Sequence, residues 1–153
     1  MAIRLKLGDV FALRTPKGDA YLQYTLKNPE YGHLLRVLPG LHVQPPASLT
    51  ELVQDKELFF VFFPLQAAVN RGLVRFVANH EVPLWAQRLP VMRRPGGRAP
   101  NGKPLNWILW DGTEEWRVDK LSEEEAEMSL AVIWNDTLLI ERLCAGWVPA
   151  NET

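Results

Sequence analysis

Gly8-Asp9-Val10-Phe11-Ala12-Leu13-Arg14 runs through Pro16-Lys17-Gly18-Asp19 into Ala20-Tyr21-Leu22-Gln23-Tyr24. Read with a period of two, Val10, Ala12 and Arg14 share one face and Phe11 and Leu13 the other. Lys17-Gly18-Asp19 supplies the glycine that a tight reversal tolerates. The stretch therefore predicts a β-hairpin that begins near the first residue, and with it a β-rich domain.

The same signals continue outward. Asn28-Pro29-Glu30-Tyr31-Gly32 reads as a turn, and His33 to Leu38 as a third strand ended by Pro39-Gly40. Ser48-Leu49-Thr50-Glu51 matches a capping box and predicts a short helix over 49–54. Leu58-Phe59-Phe60-Val61-Phe62-Phe63 is apolar on both faces, which predicts a central, buried strand. Pro64 opens a helical turn over 65–71 that Gly72 ends, and 73–79 returns to strand. Residues 82–89 read as extended, weakened by Pro83 and Pro90. Arg93 to Pro104 holds seven Pro, Gly or Asn among twelve residues and four basic ones, and predicts a flexible basic loop at about 93–104. Asn106 to Trp110, then Asp111-Gly112, then Glu115 to Val118 form a second hairpin signal. Ser122-Glu123-Glu124-Glu125 repeats the capping box. An apolar segment, 130–134, precedes a last helix over 137–145 with Gly146 as its stop. On that helix Leu138, Leu139, Arg142 and Leu143 share a face, and Arg142 is expected to lay its aliphatic stem along it.

At 153 residues, 47% apolar and 23% charged, the chain has the length and composition of one globular domain. The single cysteine, Cys144, excludes an internal disulfide and fits a reducing compartment. The opening Met-Ala-Ile-Arg-Leu-Lys is too polar for a leader, and no apolar run approaches the roughly 20 residues of a membrane helix. The expectation is a soluble cytoplasmic protein. Charge is unevenly placed. Residues 1–104 hold 14 Lys/Arg against 7 Asp/Glu, and residues 105–153 hold 3 against 11. An acidic local face that steers a basic partner is one outcome of that skew, and a solvated surface of mixed sign is the other.

No residue set carries a catalytic or cofactor signature. His33, His42, His80 and Cys144 lack metal-ligand spacing, and Cys144 sits inside an amphipathic helix pattern as a packing residue. Three of Ser48, Thr50, Ser122 and Thr137 have a helix-cap role, Asn135 or Asp136 is able to cap the last helix, and no nucleophile-elbow motif exists. No phosphate-binding glycine spacing is present. Arg93, Arg94, Arg98 and Lys103 lie near Trp107 and Trp110, a combination able to grip phosphates and stack bases. Against it stand a sequence pI of about 6.3 and the acidic final third. On the second hairpin Trp107 and Leu109 share a face opposite Ile108 and Trp110, so one face meets the core and Trp110 is offered to a partner.

The chain resembles the immunity protein 26 family of bacterial polymorphic-toxin systems in three places. Gly8-Asp9-Val10-Phe11-Ala12-Leu13 is similar to the family's Gly-Asp-Val-Phe-Ala-Ile opening. Leu58 to Phe63 occupies the middle apolar strand. Ala131-Val132-Ile133-Trp134 followed by Leu139-Ile140-Glu141-Arg142-Leu143 resembles the family's Val-Trp and a helix bearing Glu-Arg-Leu. The second strand departs, with Tyr21-Leu22-Gln23-Tyr24 where the family tends to a Tyr-Gly pair, and the long basic loop departs too. The matched positions are architectural, so no functional residue is carried over.

The resemblance implies a cytoplasmic, non-enzymatic protein that neutralises a cognate protein toxin, a basic nuclease being one such partner. The expected partner-binding surface is acidic: Asp111, Glu114, Glu115, Glu123, Glu124, Glu125 and Glu127, with Trp110. No catalytic residue, metal or cofactor and no membrane is expected, and a nucleic-acid-binding module built on the basic loop is the alternative. The expected fold is a single α+β domain over 1–153. It has a strongly bent, mostly antiparallel β-sheet, barrel-like closure being one form of it, and a C-terminal helix packed on it.

Overall fold

A computed structural model describes residues 4–153. Met1 to Ile3, part of the segment read as too polar for a leader, lie outside the described residues. Five strands, β1 (Asp9–Thr15), β2 (Gly18–Asn28), β3 (Gly32–Val37), β4 (Phe59–Phe62) and β5 (Val74–Asn79), form one antiparallel sheet in the order β4-β3-β2-β1-β5. Three more, β6 (Met92–Pro95), β7 (Trp107–Trp110) and β8 (Glu115–Val118), form a second antiparallel sheet in sequence order. The helices are α1 (Leu49–Gln54), α2 (Leu65–Asn70), α3 (Glu123–Ala126) and α4 (Asp136–Cys144). The α+β class stands as read, with the strands divided between two sheets and the larger sheet open at β4 and β5.

The alternation in β1 sorts its side chains as expected, and both sorted faces are buried. Phe11 and Leu13 join the main core with Leu22, Leu35, Val37 and Val61, while Val10 and Ala12 meet Tyr21, Leu38, Leu52 and Val53. Helix α1 covers that second face, which is why it forms where it does. Ser48 accepts the Glu51 amide at its N-terminus, and Leu52 and Val53 point inward. Burying a side chain such as Phe11 or Leu13 contributes about 1.5–3 kcal/mol. The reversal between β1 and β2 sits one residue earlier than the glycine suggests. Thr15 pairs with Gly18, so Pro16-Lys17 make the turn, and the Thr15 hydroxyl donates to the Gly18 carbonyl.

Strand β4 corrects one expectation. It is buried but not central: it is the edge of the five-stranded sheet, paired only with β3 inside it. The far end of the chain covers it. Ser129 Oγ accepts the Phe60 amide at 2.8 Å, and the Trp134 amide donates to the Phe62 carbonyl at 3.0 Å. The same segment is bonded to β6 on its other side, through Arg93 N to Ser129 O and Ala131 N to Arg93 O. Residues 129–134 therefore form a strap that stitches the two sheets together and hides an edge that would otherwise be exposed.

Two other segments differ from their sequence reading. Leu84–Ala86 is a 3-10 turn entered from Pro83 rather than an extended stretch. Arg93 to Pro95 belong to β6, because Met92 to Pro95 pair with Trp110 to Trp107. The remaining loop folds back on itself, with Ala99 N donating to Lys103 O and Leu105 N to Gly97 O.

Helix α4 packs as expected: Asn135 caps it, and Leu139 and Leu143 enter the main core. Arg142 does more than lay down a stem. Its guanidinium carbon stands 4.6 Å from the ring centres of both Trp134 and Trp147, and Nη2 donates to Glu152. Among the described residues no helix is long and apolar enough to cross a membrane.

Candidate protein-binding groove

The acids singled out in the sequence do not form one face. Asp111, Glu114 and Glu115 sit at the tip of the β7–β8 hairpin, and the three glutamates of α3 with its C-cap Glu127 follow the opposite end of β8. At the tip, Asp111 Oδ1 accepts the amides of Glu114 at 2.7 Å and Thr113 at 2.9 Å. Those two bonds, Glu114 first, hold its carboxyl below the usual range. Glu115 is paired with Arg94, Oε2 to Nη2 at 2.8 Å, which removes one acid and one base from the local field.

On α3, Glu125 is committed to the capping box. Its Oε1 accepts the Ser122 amide while Ser122 Oγ accepts its own. Glu123 lines a separate hollow with Trp107, Lys120 and Thr153. Glu124 and Glu127 face a groove of about 370 Å³ between α3 and the start of β4.

Trp110 requires a correction. It is only 7% exposed, packed with Leu34, Phe62, Met92 and Ala131, and Tyr31 lies 5.1 Å from its ring. The second face of β7 has its own core, so neither face of that strand is offered outward. The exposed tryptophan of this hairpin is Trp116, across from Leu109 on β8.

The basic loop is dismantled in the same way. Arg93 is wholly buried. It donates Nε to Met128 O, Nη1 to Glu152 O, and Nη2 to both Ala126 O and Pro149 O, with its guanidinium 4.4 Å above Trp107. Burial pushes its pKa down to about 10, with Glu152 opposing, so it stays charged at neutral pH. With Arg93 and Trp107 inside and Arg94 paired, the grip that a nucleic acid requires is reduced to Arg98 and Lys103, and Arg98 already donates to Gly102 O. The histidines are dispersed. His33 and His42 stand edge-on to Tyr24 and Tyr21, and the backbone of His80 pairs with Gly8. Among the described residues no group of three or more His, Cys, Asp or Glu is arranged to hold a metal ion. Cys144 ends α4, and its carbonyl accepts Lys17 Nζ.

The groove beside Glu124 and Glu127 gathers more than these two acids. Glu57 and Lys56 line it, over a floor that includes Leu58, Phe60, Val91 and Met128. Glu57 is paired with Arg36, so Glu124 and Glu127 stand against Lys56 beside apolar side chains. Leu58 is 41% exposed, and Trp85, whose indole Nε1 donates to Glu57 Oε1 at 3.2 Å, is 52% exposed. Glu57 is fixed from below by Arg36, Nε to Oε1 at 2.9 Å, and the rest of that guanidinium is satisfied by Gln23, Val53 O and Asp55 O.

The sequence reading missed Glu57, Arg36 and Trp85. A signal existed: Arg36 interrupts Leu34-Leu35-Arg36-Val37-Leu38, and a charge inside a buried strand requires a buried partner. Chemically the groove offers apolar side chains beside the carboxylates of Glu124 and Glu127, which suits a basic, partly apolar protein segment. No family model matches the chain, and no curated protein or solved structure matches it.

Proposed function

We propose that this chain is a non-enzymatic protein-binding protein of the cytoplasm, an immunity-type inhibitor that neutralises a cognate protein toxin carrying a basic surface. The type of partner follows from the resemblance to the immunity protein 26 family. The observation that carries the reading is the groove: Glu124 and Glu127 stand beside the apolar side chains of Leu58, Phe60, Val91 and Met128. Acids at a rim steer a basic partner to its site, while apolar and aromatic groups hold it there once water has left.

The test is capture of a partner by the tagged chain, followed by kinetics with a paired charge reversal, Glu124→Lys with Glu127→Lys. Both residues lie outside the capping-box bonds, so the fold is kept. A basic protein partner whose association slows by about tenfold or more at low salt, with a flatter salt dependence, supports the reading. Unchanged association rates, or nuclease-sensitive recovery of RNA or DNA in place of a protein, overturn it.

A further inference from the structure

We infer that the outer edge of β5 is a strand-addition site for an extended, acidic peptide segment of another protein. The site goes beyond the groove reading, and the two share no residue. It begins from a contrast between the two edges of the five-stranded sheet. At β4 the strap over 129–134 takes up backbone groups, Ser129 Oγ accepting the Phe60 amide and the Trp134 amide donating to Phe62 O. At β5, among the described residues, every backbone pairing of Val74 to Asn79 runs inward to β1. An open edge offers a row of N–H and C=O groups to an extended chain laid beside it.

The edge is six residues long and holds no proline; its guards against pairing are one arginine and one bulge. The bulge leaves Val77 without a partner in β1, and it stands 37% exposed beside Phe76 at 44%. Leu7, 60% exposed, extends the apolar surface, since Asn79 Nδ2 donates to its carbonyl at 3.0 Å. Phe76 opposes Phe11 and Arg75 opposes Ala12, so the two faces of the edge differ, one apolar and one cationic. A strand that alternates apolar and acidic residues continues both faces at once.

Charge selects the occupant. Arg71 ends α2 just before the strand, and Arg75 lies within it. At the other end Arg4 and Lys6 line a hollow of about 270 Å³ with Phe76 and Asn79. Among the described residues Arg4, Lys6 and Arg71 enter no ion pair, and Arg75, 60% exposed, meets Asp19 only at 3.5 Å. The one acid of the hollow, Asp9, is buried and already accepts the Lys6 amide and Asn79 Nδ2. Both ends of the edge are therefore basic. A second copy of the chain, laid antiparallel or parallel, brings one basic end against another. An acidic strand is attracted at both ends, and its backbone bonds supply affinity.

The probe is the blocked peptide Glu-Val-Glu-Val-Glu-Val-Glu, titrated at about 50 mM salt into the isotope-labelled full chain and followed by amide resonances. The amides of Val74 to Asn79 should shift saturably while those of β4 stay in place. Proline at the central valine of the peptide keeps its charge and breaks strand pairing, and should weaken binding by about tenfold or more. Lysine in place of every glutamate should weaken it as much. Val77→Glu, at an exposed position without a β1 partner, keeps the fold and sets a like charge against the peptide, for a further loss of about tenfold. Amides of β5 that do not move overturn the inference, as does a proline peptide that binds as well as the parent. A chain that sediments as a dimer without peptide, and as a monomer once Val77→Glu is made, also overturns it by giving the edge to a second copy.

Discussion

Gly8 and His80 approach each other so closely that a Cβ on residue 8 would overlap the His80 carbonyl oxygen. The His80 amide donates to the Gly8 carbonyl at 3.1 Å, and Gly8 itself has φ +92°, in the left-handed region. Both strain and overlap act on any side chain there, so Gly8→Ala should cost about 3 kcal/mol. Gly72 is the control. Its φ is +71° but nothing lies within 4 Å of its would-be Cβ, so Gly72→Ala should cost only about 1 kcal/mol. Urea denaturation of both variants checks the difference, and equal losses would show that the contact with His80 is irrelevant.

Arg93 holds four backbone carbonyls that belong to two distant parts of the chain. Arg93→Met keeps the length of the stem and removes every donor, leaving those carbonyls unpaired. The expected loss is about 3–5 kcal/mol. Hydrogen exchange gives the local readout: the amides of Asn151 and Glu152, bonded within the final 3-10 turn, should exchange faster than in the parent chain relative to those of β2.

The two tryptophans of the second hairpin should separate cleanly on substitution. Trp110→Ala removes a ring packed against Phe62 and Tyr31 and should cost about 3–5 kcal/mol. Trp116, 40% exposed on the short strand β8, should cost under about 1 kcal/mol. Thermal melts distinguish the two, and a mild Trp110→Ala would mean that its face of β7 is not a core.

His33 predicts a pH dependence. Burial, then Lys27, lowers its pKa below the ordinary 6.5. The unfolded chain therefore takes up the proton first, so stability is full above about pH 6.5 and declines as the pH falls through that value toward the folded pKa. Urea midpoints should drop between about pH 7.5 and 5.5, and His33→Gln should flatten that part of the drop. A curve of the same slope in both proteins would assign the dependence to other groups.

Hairpins, caps and turns were legible in the sequence because their causes are local. Ser48, Ser122 and Asn135 cap helices within four residues of themselves, and the β1 alternation sorted Phe11 and Leu13 from Val10 and Ala12 correctly. Misreadings arose where a distant segment decides. The apolar run over 58–63 shows that β4 is largely buried, but not that its free edge is covered by residues 129–134 rather than by a second neighbouring strand. Arg93 lies in a Pro- and Gly-rich context that reads as loop, and only the carbonyls of 126–128 and 149–152 explain its burial. Trp110 fails for a related reason: alternation separates two faces but does not tell whether the second has a partner. The candidate groove was half legible. Glu124 and Glu127 stood out as part of an acidic run, while Glu57 is placed there only by its bond to Arg36.

The strap over 129–134 also sets an order of events during synthesis. Phe60 and Ser129, which it joins, are 69 residues apart in the chain. When the first sheet has left the ribosome, its β4 edge has open backbone groups and three phenylalanines, Phe59, Phe60 and Phe62, with the residues that will cover them not yet translated. Until they emerge, that edge is a template for pairing with another nascent chain. Stop codons or slow translation between residues 80 and 128 should therefore yield aggregates rather than merely shortened domains, and a chaperone that masks the β4 edge should reduce them.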